Sequence, residues 1–133
     1  GSHHLDTEGM RMRTMSRTLR HEADVKAVAA YVAQLTPVAA DHTLDGDPKA
    51  GQALYAVCQT CHGAKAEGNV ALNAPRLNDH DDWYMLNQLK KFKAGVRGSN
   101  PKDVTGAQMA PMASTLIDEQ AMKNVIAYIQ TLK

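Results

Sequence analysis

Two cysteines and one histidine lie close enough together in the chain to act as a single chemical group. The run Cys58-Gln59-Thr60-Cys61-His62 has the spacing C-x-x-C-H, and it contains the only two cysteines among the 133 residues. Thiols about one helical turn apart share a face of a helix, where they can add to the two vinyl groups of one porphyrin. The adjoining imidazole of His62 can then reach the iron. The motif therefore predicts one haem c, bound covalently through Cys58 and Cys61.

Two other uses of a C-x-x-C pair fit this chain less well. A thioredoxin-like redox pair requires βαβ patterning, which the sequence lacks. A zinc site requires two further ligands. The chain has no second cysteine pair, and its other histidines lack the H-x₃₋₅-H spacing of zinc fingers; they are His3, His4, His21, His42 and His80.

The composition limits the kinds of protein that could carry this group. The formal net charge is only +1, so nothing in the charge indicates binding to nucleic acid. No apolar run approaches the roughly 20 residues of a membrane span. The chain has one Phe, one Trp and four Tyr, and a bound porphyrin would supply apolar volume that so few aromatic residues do not. The absence of an initiator Met and of a signal peptide indicates a processed or excerpted chain.

Three segments have the apolar period of an amphipathic helix. The pattern predicts helices over residues 22–35, 81–94 and 118–132. A fourth helix is predicted to begin at Asp47-Pro48, an N-cap followed by proline at the first helical position, and to run into the cysteine motif. No stretch alternates like a β-strand. The sequence therefore predicts an all-α protein.

An internal repeat relates the two ends of the chain. Residues 1–35 align with residues 98–132 at a shift of 97 positions, and 14 of the 35 pairs are identical. Average composition would give about two identities by chance. The identical pairs include Met12 with Met109, Met15 with Met112, Glu22 with Glu119, Lys26 with Lys123, Val28 with Val125, Tyr31 with Tyr128 and Leu35 with Leu132.

The repeat predicts the division of the chain into domains. Because Gly1 and Ser2 also have identical partners, the run Gly1-Ser2-His3-His4 is interpreted as native sequence rather than an expression-tag scar. Residues 1–35 are then the C-terminal remnant of a preceding domain of the same kind. Residues 36–46 are an interdomain linker, and residues 47–133 form the domain that contains the cysteine motif.

Residues 47–133 resemble a class I cytochrome c domain in the order of their haem motif, methionine segment and closing helix. The resemblance implies an all-α fold of three to five helices wrapped around one covalent haem, here with an extra N-terminal helix. It implies thioether bonds at Cys58 and Cys61, and His62 as the proximal iron ligand. With the repeat, it implies a parent that is a tandem di-haem cytochrome or a cytochrome tail of a respiratory enzyme.

The resemblance also implies the partners of the proximal and distal sides of the iron. Pro75 is similar to the family proline whose carbonyl accepts the second ring N–H of the ligand histidine. The distal ligand is expected to be a methionine on a loop before the last helix, where Met109 and Met112 both qualify. In the family the ligand usually precedes the leucine that opens the last helix by seven residues, and Met109 precedes Leu116 by seven. Met109 is therefore the predicted ligand, and Met112 is predicted to pack in the haem pocket.

Three further residues are placed near the haem by the resemblance alone. Trp83 and Tyr84 lie where the family often has aromatic residues beside a haem propionate, although ordinary helix packing explains Trp83 equally well. Arg97 is a candidate partner for a propionate, with an exposed, solvated arginine as the alternative. The family's last helix commonly opens Leu-Ser-Asp-Glu, whereas this chain has isoleucine in place of the serine. Asp118 is therefore predicted to cap that helix, or the helix begins one residue later.

The predicted function is electron transfer through a His/Met-ligated haem c in a respiratory or periplasmic redox chain. No catalytic motif such as G-x-S-x-G or H-E-x-x-H is present, so the chain is not predicted to be an enzyme. Two alternatives stay open: an electron-entry domain of a larger oxidase or dehydrogenase, and a haem ligand sensor.

The resemblance and the repeat also predict the location of the protein and its binding partners. The expected partners are redox proteins such as a terminal oxidase or dehydrogenase. The lysines and arginine near the end of the middle helix are either a solvated face or a docking patch for an acidic partner. A dimer through residues 1–35, by domain swapping or by pairing of the repeats, is a further hypothesis. Because haem c is normally attached outside the cytoplasm, the predicted location is extracytoplasmic, with a membrane tether possible in the parent protein.

Overall fold

The computed structural model describes residues 1–36, 38 and 41–132. Over these ranges the chain forms helices and no β-strand, which confirms the predicted all-α class. The α-helices are α1 (Thr7–Ser16), α2 (Glu22–Ala33), α3 (Pro48–His62), α4 (Asp82–Lys93), α5 (Val104–Ser114) and α6 (Glu119–Gln130), with one 3₁₀ turn at Val70–Leu72. None of these helices is long and apolar enough to cross a membrane. The chain divides into two compact units, Gly1–Ala40 and Asp41–Lys133.

The four helices expected from the sequence all form, and their caps explain where they begin. Asp47 caps α3 by accepting a hydrogen bond from the Lys49 N–H at 2.8 Å, with Pro48 as the first helical residue. Asp118 caps α6 by accepting from the Ala121 N–H at 2.7 Å, so the predicted cap is confirmed. The predicted linker, residues 36–46, includes Pro37, Ala39 and Ala40, which lie outside the described residues.

Two helices were not predicted. The first unit contains α1 in addition to α2, the N-terminal helix that the sequence predicted. The methionine segment was expected to be a loop, but Met109 lies within α5. Pro111 makes a helix hard to predict from this segment, because a proline inside a helix removes one backbone hydrogen bond. The helix forms nonetheless, since Asp103 caps it by accepting from the Gly106 N–H at 2.9 Å.

The core of the second unit is built around the crossing of α3 and α6. Gly51 lets the two helices approach closely, because a Cβ at that position would collide with the backbone of Asn124. One turn along α3, the buried ring of Tyr55 lies 5.5 Å from the ring of Tyr128. Helix α4 packs against both α5 and α6. The buried side chains of α6 complete this core; they are Ala121, Met122, Val125, Ile126 and Ile129.

The first unit repeats the local structure of residues 98–132 without their burial. Asp6 caps α1 by accepting from the Gly9 N–H at 3.3 Å, as Asp103 does for Gly106. Helix α2 occupies the positions equivalent to α6, but neither α1 nor α2 contains a buried residue. Val28 is 45% exposed, whereas the identical Val125 is 2% exposed. The same local sequence therefore forms the same helices in both places and a packed core in only one.

Candidate haem site

Helix α3 presents the cysteine motif at its C-terminal end. Cys58 is half-buried, Cys61 is exposed, and both thiols are free. Burial raises the pKa of the Cys58 thiol above its ordinary value. His62 is the last residue of the helix and is buried. The helix thus places two free thiols on the turn directly before a buried imidazole.

The His62 ring has one nitrogen engaged and one available. Its Nδ1 lies 2.8 Å from the carbonyl oxygen of Pro75. A carbonyl oxygen can only accept, so Nδ1 carries the proton and donates it to Pro75. In the neutral ring, this tautomer leaves the Nε2 atom as the one that can bind a metal ion. This contact supports the role that the sequence predicted for Pro75, because such a bond fixes the tautomer and raises the basicity of the ligand.

A tight turn after His62 brings Pro75 to the ring. The Gly68 N–H donates to the His62 carbonyl at 2.8 Å. Gly68 has a φ of +82°, and a Cβ there would lie 2.6 Å from the backbone nitrogen of Arg76. Only glycine allows both this backbone conformation and this close approach. Sequence reasoning missed Gly68, although a glycine between a ligand histidine and its partner proline is the kind of signal that could have found it.

Tyr55 supports the same turn from inside the core. Its hydroxyl donates to the Gly63 carbonyl at 2.7 Å, one residue after His62. Burial raises the pKa of Tyr55 to about 12, so the hydroxyl keeps its proton across the physiological range. The sequence indicated Tyr55 only as a member of the helix that leads into the motif.

The two candidate methionines lie on α5. Met109 is half-buried, and Met112 is 40% exposed. Residues three apart on a helix lie on the same side, so both side chains occupy one face of α5. The main helix contacts of this unit are α3 with α6, and α4 with α5 and α6. His62 and Met109 therefore lie on two helices that are connected through α4 and α6.

The aromatic residues predicted to lie near a propionate are both on the first turn of α4. Trp83 is 50% exposed, and its ring meets the Tyr84 ring edge-on at 6.0 Å. The His80 ring lies 5.4 Å from the Tyr84 ring. Both rings line a shallow pocket with Trp83, Asp79 and Asp81. A propionate contact for Trp83 and Tyr84 stays a prediction.

Arg97 contacts α4 within the polypeptide. Its guanidinium lies 4.4 Å from the centre of the Phe92 ring and donates to the Gln88 side chain at 2.7 Å. The structure thus gives Arg97 partners that sequence reasoning did not foresee. Its predicted pairing with a propionate stays a prediction.

A buried carboxylate that the sequence did not single out anchors the start of α4. Asp82 accepts hydrogen bonds from the Thr43 hydroxyl at 2.8 Å, from the Leu44 N–H at 3.0 Å and from the Trp83 N–H at 2.6 Å. Burial alone would raise the pKa of Asp82. The hydrogen bonds from Thr43, Leu44 and Trp83 outweigh burial and hold the pKa below its ordinary value. Asp82 therefore fixes residues 43–44 beside Trp83.

Two basic residues near the end of α4 contact other parts of the chain. Lys90 forms an ion pair with Glu119 at 2.7 Å. Lys93 donates to the carbonyls of Leu116 and Ile117. Two of the lysines therefore have partners within the chain, and a docking patch for an acidic partner stays a prediction.

The donor set of this unit suits an iron porphyrin. Two free thiols at the correct spacing can form thioether bonds, the His62 Nε2 atom can bind iron, and the Met109 thioether is a soft ligand of the kind found in electron-transfer haems.

Comparison with known proteins agrees with this donor set. A family model described as cytochrome c matches residues 48–133. The chain is 40% identical over 93 residues to cytochrome c-554(547) of Halothiobacillus neapolitanus, an alignment that covers 66% of this chain and 99% of that protein. It is 36% identical over 91 residues to cytochrome c4 of Stutzerimonas stutzeri, covering 66% of this chain and 42% of that protein.

A third relative extends the comparison further along the chain. The "thiosulfate dehydrogenase electron acceptor" of Stutzerimonas stutzeri (strain A1501) is 38% identical over 109 residues, covering 79% of this chain and 45% of that protein. This alignment is longer than the second unit of the structure. The chain spans less than half the length of this relative and of cytochrome c4.

Proposed function

Because this chain belongs to the cytochrome c family and its cofactor is a covalent haem c, we propose that it is an electron-transfer module with His62 and Met109 as the two axial ligands. The observation that carries this proposal is the 2.8 Å contact from His62 Nδ1 to the Pro75 carbonyl. It leaves Nε2 as the metal-binding atom, one residue after the second cysteine. No substrate chemistry is required of the protein.

The bound haem supplies a one-electron couple between ferric and ferrous iron. The residues that bind the iron set the reduction potential of that couple. His62, made more basic by its bond to Pro75, supports the ferric state. The thioether of Met109 favours the ferrous state and so raises the reduction potential. If His62 and Met109 both bind the iron, no coordination site would be left for a substrate, which is why we propose a carrier rather than an enzyme.

Substitution of the two methionines tests the ligand assignment. In this family a weak absorption band at the red end of the ferric spectrum marks iron bound by methionine. We expect the band in the wild-type protein, its loss in Met109→Ala and its survival in Met112→Ala, the matched control one helical turn away. A band that survives Met109→Ala and disappears in Met112→Ala would reverse the assignment. Absence of the band from the wild type would contradict methionine ligation altogether.

The proposed setting is an extracytoplasmic redox chain. One similar protein is named as an electron acceptor of a dehydrogenase. We therefore propose that this module takes electrons from a dehydrogenase and passes them to a further redox protein such as a terminal oxidase. The electron-entry domain of a larger oxidase or dehydrogenase is the alternative, and the sequence of the full natural polypeptide separates the two.

A second proposal concerns residues 1–35, which we infer to be the C-terminal part of another domain of the same family. The face of α2 that corresponds to the buried face of α6 is exposed, including Val28. In the second unit, the equivalent residue Val125 belongs to the core that contains Tyr55 of α3. The apolar face of α2 thus suits a helix of the α3 type, with the haem motif at its end and Met12 in the position of Met109.

The charged residues of α2 support the same inference. In the second unit, Glu119 pairs with Lys90 at 2.7 Å, and Lys123 pairs with Asp45 at 2.9 Å. The equivalent residues of α2 are also glutamate and lysine, but Glu22 and Lys26 pair with each other at 2.8 Å. The glutamate and lysine that join α6 to Lys90 and Asp45 therefore have identical counterparts in α2.

A swapped dimer is a weaker explanation of the same face. To replace α6 in a second copy, α2 would place Ala29 where α6 has Ile126, and Val32 where α6 has Ile129. Shortening a buried isoleucine costs roughly 2–5 kcal/mol to alanine and roughly 0.5–1.5 kcal/mol to valine. In a second copy, α2 would therefore bind the core less tightly than that copy's own α6. A separate haem-bearing helix is the better partner for the apolar face of α2.

The haem content of the natural polypeptide tests this second proposal. We expect two covalent haems per polypeptide by mass spectrometry, and a loss of part of the methionine band on Met12→Ala. One haem per polypeptide would contradict the proposal. A strictly monomeric mass over a dilution series is expected, and a concentration-dependent dimer would instead favour swapping.

A further inference from the structure

The turn between α5 and α6 is held by a side chain from α4. This turn connects the helix that carries Met109 to the helix that completes the core. The Lys93 ammonium group donates to the carbonyl of Leu116 and, at 2.9 Å, to the carbonyl of Ile117. Both carbonyls belong to the short turn between Ser114 and Glu119, so the Lys93 ammonium group links this turn to α4.

Lys93 is placed for this role by its position in α4. It is the last residue of that helix, where a lysine side chain also interacts favourably with the helix dipole. Lys90, one turn earlier, forms an ion pair with Glu119, the first residue of α6. The C-terminal turn of α4 therefore binds both the turn and the helix that follows it.

The two contacts differ in expected strength. Both side chains of the Lys90–Glu119 pair are about half exposed, at 44% and 51%, and exposed ion pairs contribute little. Lys93 instead donates to two backbone carbonyls, and a hydrogen bond from a charged donor is about twice as strong as a neutral one. Of the two lysines, Lys93 is the one that can hold the backbone of the turn.

We propose that Lys93 is a positioning residue for Met109: it fixes the end of α5 to α4 and so keeps the thioether at the iron. This proposal rests on Met109 being the distal ligand. Met109 lies seven residues before Leu116, within the helix that ends at the anchored turn. Movement of that turn would move the C-terminal part of α5, where Pro111 already removes one backbone hydrogen bond.

The test uses the full ferric protein with its haem and imidazole as an exogenous ligand. At saturating imidazole, the rate of replacement reports how often Met109 leaves the iron. We expect Lys93→Met to raise this rate roughly tenfold, as one charged hydrogen bond would. Lys93→Arg, which keeps the charge and the donors, should restore the wild-type rate. The control, Lys90→Met, should change the rate by less than about twofold.

Two further readouts separate positioning from general stability. Amide hydrogen exchange in residues 109–117 should accelerate in Lys93→Met, whereas exchange in α3 should stay at the wild-type rate. A wild-type imidazole rate in Lys93→Met, or equal acceleration in Lys90→Met, would overturn the proposal. If the wild-type protein lacks the methionine band, it is the ligand assignment that has failed, and the exchange data alone then decide whether Lys93 anchors the turn.

Discussion

Helices α2 and α6 show the same sequence pattern in an exposed helix and in a buried one. Both are twelve-residue helices, and they share the Glu, Lys, Val, Ala and Tyr of the repeat at equivalent positions. Yet α6 contributes five buried residues to a core and α2 contributes none. Local sequence is therefore sufficient for the helix, whereas the burial of α6 comes from its packing against α3 and α4.

The repeat also divides the proposed haem site between two segments of the second unit. Residues 98–132 carry the predicted distal ligand and have a counterpart in residues 1–35. The segment that carries Cys58, Cys61, His62 and Pro75 has none. On the proposed ligand assignment, such a domain consists of one part that attaches the haem and another that completes its coordination. The first unit contains the counterpart of the second part.

The largest expected effect comes from placing a charge on the two identical valines. Val125→Asp buries an unpaired carboxylate in the core and should reduce the free energy of unfolding by at least about 3 kcal/mol. In the chain of residues 1–133, Val28→Asp at the equivalent position of α2 should change it by less than about 0.5 kcal/mol. Denaturant titration followed by haem absorbance measures both. Equal damage from the two substitutions would show that the face of α2 is covered and would break the comparison.

A smaller effect is expected at Asp82, which belongs to the part of the second unit that has no counterpart. Asp82→Asn should reduce the free energy of unfolding by about 2 kcal/mol near neutral pH, because the hydrogen bonds to Asp82 lose a charged acceptor. Asp81→Asn is the matched control, since Asp81 makes no side-chain cap bond.

The pH dependence of this effect has a fixed sign. The folded pKa of Asp82 is lowered, so its contribution is fully present above the unfolded value of about 4 and is lost as the pH falls through the folded pKa. The difference between wild type and Asp82→Asn should therefore shrink below about pH 4. A difference that grows on acidification would contradict this account.

The smallest effect is expected at the twin helix caps. Asp103→Ala removes the bond to the Gly106 N–H and should cost the haem unit about 1 kcal/mol. Asp6→Ala removes the equivalent cap of α1 and should leave the stability of the haem unit unchanged. Haem absorbance during denaturation again provides the readout. If Asp6→Ala lowered that stability as much as Asp103→Ala, the two units would not be independent.

The features that follow from local chemistry were predictable from the sequence. The cysteine motif, the helix starts at Pro48 and Glu119, and the all-α class each depend on a few adjacent residues or on a period. The pairing of Pro75 with His62 was also anticipated, although only through family resemblance.

The features that were missed depend on contacts between distant residues. Asp82 reads as an ordinary acidic residue at a helix start, and only the fold brings Thr43 and Leu44 to it. Lys93 likewise looks like one of several exposed lysines until the turn at Leu116 lies beside it. Helix α5 was expected to be a loop because the family resemblance places the methionine ligand on a loop, whereas the Asp103 cap allows a helix despite Pro111.

Exposure of the ferrous protein to carbon monoxide tests the central claim most directly. If His62 and Met109 occupy both axial positions, the ferrous absorption spectrum should not change on addition of the gas at neutral pH. Met109→Ala should bind carbon monoxide at once and serves as the positive control. Immediate, stoichiometric binding by the wild-type protein would contradict the account, because it would show an open coordination site and favour a ligand sensor over an electron carrier.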